Sequence, residues 1–311
     1  MKLETGGDDW QGAAAELVSI RDIFRFAVSR FRSAGLVHGQ GASDAIDEAA
    51  FLVLESLGLP HHDINPWLDS RLTLAEREKL LARIRARIET RKPSAYLTGV
   101  TYIQDVPFRV DERVIVPRSY IGEILFSDDF TRSADALIPD PLSVSRVLDL
   151  CTGSACLAIL AAHVFREARV DAVELSEDAL EVASLNVAES EVGDRVRLFE
   201  GDLFQPVMGE RYDLIIANPP YVDAEAMADL PPEFRHEPAM ALDGGEDGLD
   251  IVRRILAEAP RHLTEQGGLL CEIGRGREAL TDEFPELDFF WLDTAESAGE
   301  VFWLTASQLR R

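Results

Sequence analysis

The chain has 311 residues, 46% of them hydrophobic and 28% charged, and carries a formal net charge of −25. That length and composition permit two domains with sizeable cores and exclude bulk disorder. The charge runs against a bare duplex-DNA binder, which needs a basic surface to neutralise phosphates; it suits either steering of a basic protein partner, such as a ribosomal protein, or a plainly acidic soluble surface.

Cys151, Cys156 and Cys271 have neither zinc nor disulfide spacing, so no metal is expected, and sparse cysteines fit a reducing compartment. Residues 1–11 are acidic and polar, with no signal-peptide core. The longest uncharged run, residues 150–165, holds Thr152-Gly153-Ser154 and is too short to span a bilayer. The expectation is a cytoplasmic protein with no membrane partner.

Taken in chain order, residues 13–91 read as helical. Leu17, Ile20, Ile23, Phe24, Ala27, Val28 and Phe31 recur at helical spacing, which predicts one helix over 14–34. Ser43 or Asp44 can cap a second helix that stops at Gly58, and Thr73 with Glu76 forms a capping box for a third. On that third helix Lys79, Arg83, Arg87 and Arg91 line one face. Two readings stand: an incidental RNA contact, or a solvated face paired with Glu76, Glu78 and Glu89, which is what charge runs ordinarily are. Pro93 ends the helix. Strands are expected at 101–103, 108–110 and 114–116, then a short helix over 119–126 and a polar loop to 145.

From Arg146 strands and helices alternate. Strands are expected at 147–150, 170–175, 196–199, 212–217, 268–273, 289–292 and 301–304. Such alternation predicts an α/β domain with a mostly parallel, doubly wound sheet, and the short link between the last two strands places one antiparallel strand near an edge. The organisation is therefore a helical domain (1–92), a β-hairpin and linker (93–145) and a third segment (146–311) with the ligand site.

Ligands of doubly wound sheets sit beyond the carboxyl ends of the strands. After the first strand comes Asp149-Leu150-Cys151-Thr152-Gly153-Ser154-Ala155, a small turn whose backbone N–H groups, with the next helix N-terminus, can meet an anion. It is not the three-glycine dinucleotide fingerprint. Glu174, 25 residues after Asp149, closes the second strand beside Leu175, where an acid can accept from both hydroxyls of a ribose. Asp202 can accept from an adenine amino group, with Leu203 and Phe204 as candidates to touch the ring. Each signal alone is ordinary; three on successive strand ends reinforce one another.

The most specific signal is Asn218-Pro219-Pro220-Tyr221, directly after the strand at 212–217. Prolines fix the backbone and donate no N–H, leaving carbonyls there free to accept. The Asn218 carboxamide oxygen and the Pro219 carbonyl can hold the two hydrogens of a planar –NH2 group, with Tyr221 stacked on it. Acceptors on its hydrogens hold such a nitrogen facing an electrophilic methyl and stabilise its developing charge. His61-His62 has no ligand partners at metal spacing, and Asp243 to Asp247 fits a helix-entry turn better than a calcium loop.

On these residues the chain resembles the protein glutamine N-methyltransferases, which use the class I methyltransferase fold, and the resemblance covers nearly all of it. The family's Asp-x-Gly-x-Gly-x-Gly loop corresponds to Asp149–Ala155, with Cys151 and Ala155 in place of two glycines; Asn218-Pro219-Pro220-Tyr221 matches in full. The resemblance implies a Rossmann-like domain, S-adenosylmethionine as cofactor, and a glutamine amide as substrate. It implies Asp149, Cys151, Thr152, Gly153, Glu174, Leu175, Asp202, Leu203 and Asn218 for the cofactor. Catalysis would rest on Asn218, Pro219 and Tyr221. Substrate binding would add Pro220, Arg118 and Glu237. Val116-Pro117-Arg118-Ser119-Tyr120-Ile121 is similar to the branch acting on large-subunit ribosomal protein L-three, since the release-factor branch follows Val-Pro-Arg with Pro-Glu-Thr. The family's helical domain would engage the protein substrate. The alternatives are a release-factor methyltransferase, a DNA adenine methyltransferase that would have to flip its base, and an inactive assembly factor that binds the cofactor.

Overall fold

The computed structural model describes residues 10, 12–295 and 297–310; the stretch 1–9 and residue 11, read above as free of a signal-peptide core, lie outside the described residues. The chain divides into two compact units, one running to Val100 and taking in Pro231–His236, the other comprising Thr101–Leu230 and Glu237–Arg311.

The first unit is helical: α1 (Ala13–Glu16), α2 (Ile20–Ser33), α3 (Ala45–Leu57), α4 (Leu74–Thr90) and α5 (Ser94–Thr98). Its core joins Ile23, Phe26 and Phe31 of α2 to Leu52 and Val53 of α3 and Leu80 and Ile84 of α4. The single helix expected over 14–34 is instead two. Ser19 and Asp22 form a reciprocal capping box, and the Ile20 N–H donates to Ser70 O at 3.0 Å, so a fresh helix starts at Ile20 rather than continuing from α1. Asp44 caps α3, Gly58 ends it in the left-handed region, and Thr73 with Glu76 boxes α4.

The basic row of α4 is bonded within its own unit, with Lys79 exposed and Arg87 buried. Lys79 Nζ donates to Ser56 O at 2.6 Å and Arg83 to Ser56 Oγ at 2.7 Å. Arg87, 1% exposed, grips Glu48 at 2.6 and 3.2 Å. Arg91 donates to Ala34 O, Gly35 O and the buried Glu233. These cations donate to carbonyls, a hydroxyl and carboxylates of their own unit.

The hairpin of β1 (Val100–Ile103) and β2 (Val106–Arg109), in the second unit from Thr101 on, is followed by α6 (Ile121–Leu125). The strand expected at 114–116 is not formed. Asp111 and Val114 close a turn, and the Val116 N–H donates to the Glu237 carboxylate at 2.9 Å instead of to a neighbouring strand. The main sheet then has β3 (Arg146–Leu150), β4 (Arg169–Glu174), β5 (Val196–Glu200), β6 (Tyr212–Ala217), β7 (Leu263–Glu272), β8 (Phe290–Asp293) and β9 (Ala298–Thr305). Its order is β5-β4-β3-β6-β7-β9-β8, and β9 alone runs antiparallel, one place in from the edge, as the sequence predicts. α7 (Cys156–Val164), α8 (Glu177–Glu189), α9 (Ala224–Ala228), α10 (Asp250–His262), α11 (Arg277–Glu283) and α12 (Ala306–Leu309) complete the unit. Two apolar layers cover the sheet, one built on α7 and α6, the other on α10. This is the class I methyltransferase architecture. Among the described residues no helix is long and apolar enough to cross a membrane.

Candidate active site

Strand register builds the site. Leu150 pairs with Val173 on one side and Ala217 on the other, and Ala217 pairs with Cys271. The next residues along each strand, Cys151, Glu174, Asn218 and Glu272, therefore form one row at the carboxyl edge of the sheet. β5 adds Glu200 opposite Glu174, which brings Gly201-Asp202-Leu203 to the same edge.

A cleft of the second unit opens along this row and encloses about 880 Å³ of empty space, its mouth included. Cys151, Gly153, Glu174, Leu175, Asp202, Leu203, Asn218 and Pro220 line it. Eight residues singled out from the sequence thus meet on one wall. Asp149, Thr152, Pro219 and Tyr221 are not among the residues that line the cleft. Pro238, Met240 and Ala241, together with Ile251 and Arg254, also line it and were not foreseen.

The turn after β3 takes left-handed backbone at Cys151 (φ 57°), Gly153 (φ 57°) and Ala155 (φ 62°). These are positions where glycine costs nothing and an L side chain is strained. The strain is held by Thr152 N–H on Val173 O at 3.1 Å, Ala155 N–H on Thr152 O at 2.9 Å, and Asn186 Nδ2 on Ser154 O at 2.9 Å. Ala155 is fully buried in the apolar layer of α7, so its methyl occupies core rather than the cleft. Behind the turn Asp149 is fully buried; Thr152 Oγ1 donates to its Oδ2, and Oδ1 has no partner. Burial pushes its carboxyl up to about 7, against the pull of the Thr152 hydroxyl. An unpartnered acceptor under a loop of left-handed residues fits a ligand that brings its own polar hydrogens.

Glu174 accepts from Gly153 N at 2.8 Å through Oε2, and from Leu175 N and Ser176 N at 2.9 and 3.0 Å through Oε1. Three backbone donors fix the carboxylate: two fill Oε1, and Oε2, with one, keeps a lone pair for a hydroxyl. Asp202 receives Arg254 of α10 on Oδ2 at 2.7 Å. Phe204, by contrast, is fully buried and stacks on His262 with centroids 4.6 Å apart, so it is core and not a contact for a ring in the cleft.

At the end of β6 the Asn218 Oδ1 is buried with no hydrogen-bond partner. The segment after it is drawn tight: Val222 N–H donates to Leu242 O at 2.8 Å, and Gly244 N–H to Val222 O at 2.9 Å. Glycines make that approach possible. A Cβ on Gly244 would stand 2.8 Å from the Tyr221 Cα, and one on Gly248 2.4 Å from the Tyr221 carbonyl oxygen. The Asp243–Asp247 stretch is thus the seat of the Asn-Pro-Pro-Tyr turn as well as the entry to α10. The Tyr221 ring lies on Gly274, whose added Cβ would be 2.7 Å from the ring, and its hydroxyl donates to Glu272 at 3.0 Å. The sequence reading missed Glu272; an acid closing the apolar strand one place from the Asn-Pro-Pro-Tyr strand was the available signal. Arg118 and Glu237, expected at the substrate, bond to each other at 2.6 and 2.9 Å. The Glu237 side chain is fully buried and also holds Val116 N–H, so its carboxylate is committed inside the fold.

The site can be set beside known proteins. A methyltransferase small domain matches residues 126–245. The chain is 57% identical over 297 residues to a ribosomal protein uL3 glutamine methyltransferase of Bradyrhizobium diazoefficiens, covering 94% of this chain and 92% of that one. It is 49% identical over 294 residues to the enzyme of the same description from Bordetella pertussis, covering 94% and 97%. With that from Neisseria meningitidis serogroup B it shares 50% over 301 residues, 96% of each.

Proposed function

The chain belongs to the ribosomal protein uL3 glutamine methyltransferases, and from that premise we propose that it methylates the side-chain amide nitrogen of a glutamine in uL3, using S-adenosylmethionine. The observation that carries the reading is the buried, unpartnered Oδ1 of Asn218 at the rim of the cleft. A buried acceptor left without a donor costs on the order of 1–3 kcal/mol, and a substrate –NH2 group removes that cost on binding.

S-adenosylmethionine supplies an electrophilic methyl on its sulfonium. In this reading Glu174 would hold the ribose hydroxyls, Asp202 and Leu203 the adenine, and the Cys151–Gly153 turn with Asp149 the methionyl end. Asn218 Oδ1 and the Pro219 carbonyl accept the two hydrogens of the glutamine amide. That orients the nitrogen and raises its electron density, and it offsets the positive charge that grows there during transfer. Cys151 takes no nucleophilic part, because burial keeps its thiol protonated. Recognition of the protein substrate falls to the helical unit, and the acidic chain favours a basic partner by long-range attraction. The reaction is placed in the cytoplasm.

The test is transfer of labelled methyl to purified uL3 and, in parallel, to a peptide release factor, with Asn218→Ala alongside. Label on a uL3 glutamine, reduced about 10²–10³-fold in the variant, is the expected result. Label on the release factor alone would overturn the choice of substrate; label on neither would overturn the reaction.

A further inference from the structure

Glu272 is the buried acid that the reaction above leaves unused. It is 1% exposed, and among the described residues no cation forms an ion pair with it. Its Oε2 accepts from Ser119 Oγ at 2.7 Å and from Tyr120 N–H at 2.9 Å; its Oε1 accepts from Tyr221 Oη at 3.0 Å. Ser119 also caps the turn into α6 by accepting from Ile121 N–H at 3.2 Å. One carboxylate thus ties the segment leading into α6 to the aromatic residue of the Asn-Pro-Pro-Tyr turn.

An apolar side chain at this strand end would fill the same space without desolvating a carboxylate, and buried acids without a cation are expensive to keep. Burial does push the Glu272 carboxyl up, with Ser119, Tyr221 and Tyr120 pulling it back. What the acid provides, and an apolar residue cannot, is an acceptor for the Tyr221 hydroxyl. The Tyr221 ring is pinned at two points, by Gly274 against the ring and by Glu272 at the hydroxyl, while Asn218 follows the neighbouring strand, in register with Glu272.

Resting on the reaction proposed above, we propose that Glu272 is a positioning residue for methyl transfer: by holding the Tyr221 hydroxyl it fixes the aromatic face against which the glutamine amide lies. Ser119 and Tyr120 in turn fix Glu272. The group acts through Tyr221 and touches neither substrate nor cofactor. Its contribution therefore belongs to the orientation of the bound amide.

Glu272→Gln is the discriminating substitution. Glutamine offers one acceptor and one donor where glutamate offers two acceptors. With its carbonyl on the Tyr120 N–H, its amide NH2 faces Tyr221 and the hydroxyl loses its acceptor. Steady-state kinetics on uL3 would compare wild type, Glu272→Gln, Tyr221→Phe and the double variant. Binding of S-adenosylhomocysteine by calorimetry and the melting temperature would be measured on each. The expected result is a roughly ten- to hundredfold lower kcat in Glu272→Gln, with KM for S-adenosylmethionine and product affinity within about twofold of wild type. The double variant should lose no more than the worse single one, since both remove the same contact. An active wild type with Glu272→Gln unimpaired, with losses that multiply, or with cofactor affinity falling as far as kcat, would overturn the role of Glu272 alone. A wild type inactive on uL3 would overturn the reaction and this role with it. If Glu272→Gln melts too low to assay, Ser119→Ala, which removes one donor to the same carboxylate, carries the same kcat expectation at smaller size.

Discussion

Asn218 and Glu272 stand side by side at the carboxyl ends of β6 and β7, each one residue past a rung formed by Ala217 and Cys271. The first presents an acceptor with no partner; the second has three donors on its two oxygens. Two neighbouring strand ends thus divide the work between an open position for a ligand and a closed one for the frame around it. A one-residue slip of β6 against β7 would turn one of the two into the apolar layer, so the register itself is part of the site.

Gly274 bears on that frame directly. Its φ of +53° and the 2.7 Å approach of an added Cβ to the Tyr221 ring leave no place for a side chain. Gly274→Ala is expected to displace the ring and lower kcat by about tenfold or more, while a cofactor-binding measurement changes little. Unchanged turnover would mean that the ring's resting place does not matter to the reaction.

The buried Asp149 predicts an unusual dependence of stability on pH. Its carboxyl is raised from 3.8 to about 7 by burial, so the folded state holds the proton more tightly than the unfolded chain. Stability is therefore greatest below the unfolded value and falls as pH rises from about 4 to about 7, by on the order of 4 kcal/mol for the ligand-free protein. Glu272, also raised by burial, adds in the same sense. Asp149→Asn should flatten the change in melting temperature between about pH 5 and about pH 8. An unaltered slope would place the effect elsewhere.

The left-handed turn makes a prediction of opposite flavour. An L residue in that conformation costs about 1–2 kcal/mol, partly offset by the greater chain entropy that glycine loses on folding. Ala155→Gly is thus expected to stabilise the protein by about 0.5–1 kcal/mol in urea unfolding. Ala155→Val, branched at Cβ and facing a filled core, should destabilise it by more than about 2 kcal/mol. If glycine destabilises, the methyl's packing outweighs the strain.

In the helical unit Glu48 is held down at about 2: burial opposes ionisation, and the bonds from His38, Arg87 and Ser94 outweigh it. Its stabilising contribution is present above the ordinary carboxylate value and is lost as pH falls toward about 2. Arg87→Met strands the carboxylate and should cost about 3–5 kcal/mol, followed by helical circular dichroism against denaturant. Adding Glu48→Gln should recover part of it; full additivity would show that the two do not act as a pair.

The fold was legible wherever burial and turn chemistry speak through local pattern. The apolar run of residues 212–217 forms the strand expected there, and the capping box expected at Thr73 and Glu76 opens α4. Asp149, Glu174, Asp202 and Asn218 could be picked out because each follows or closes a strand. Local pattern failed where a distant partner decides. Val114 to Val116 has strand composition, yet its backbone goes to Glu237, more than a hundred residues on. The basic row on α4 has a solvated look, yet Arg87 and Arg91 meet Glu48 and Glu233. Arg118 and Glu237 each had a role in the sequence reading, and only the fold reveals that they answer one another.

The helical unit is not contiguous in the chain: it needs Pro231–His236, through which Glu233 reaches Arg91 and the Val37 N–H and His236 reaches the Thr90 carbonyl. As the chain emerges from a ribosome, that unit must wait, with Arg91 short of its carboxylate, for the roughly ten seconds or more that synthesis takes from Val100 to His236. Nor would a fragment ending at Val100 be a clean excision of the unit. The protein is sewn rather than beaded, and its first-made part is among the last to be finished.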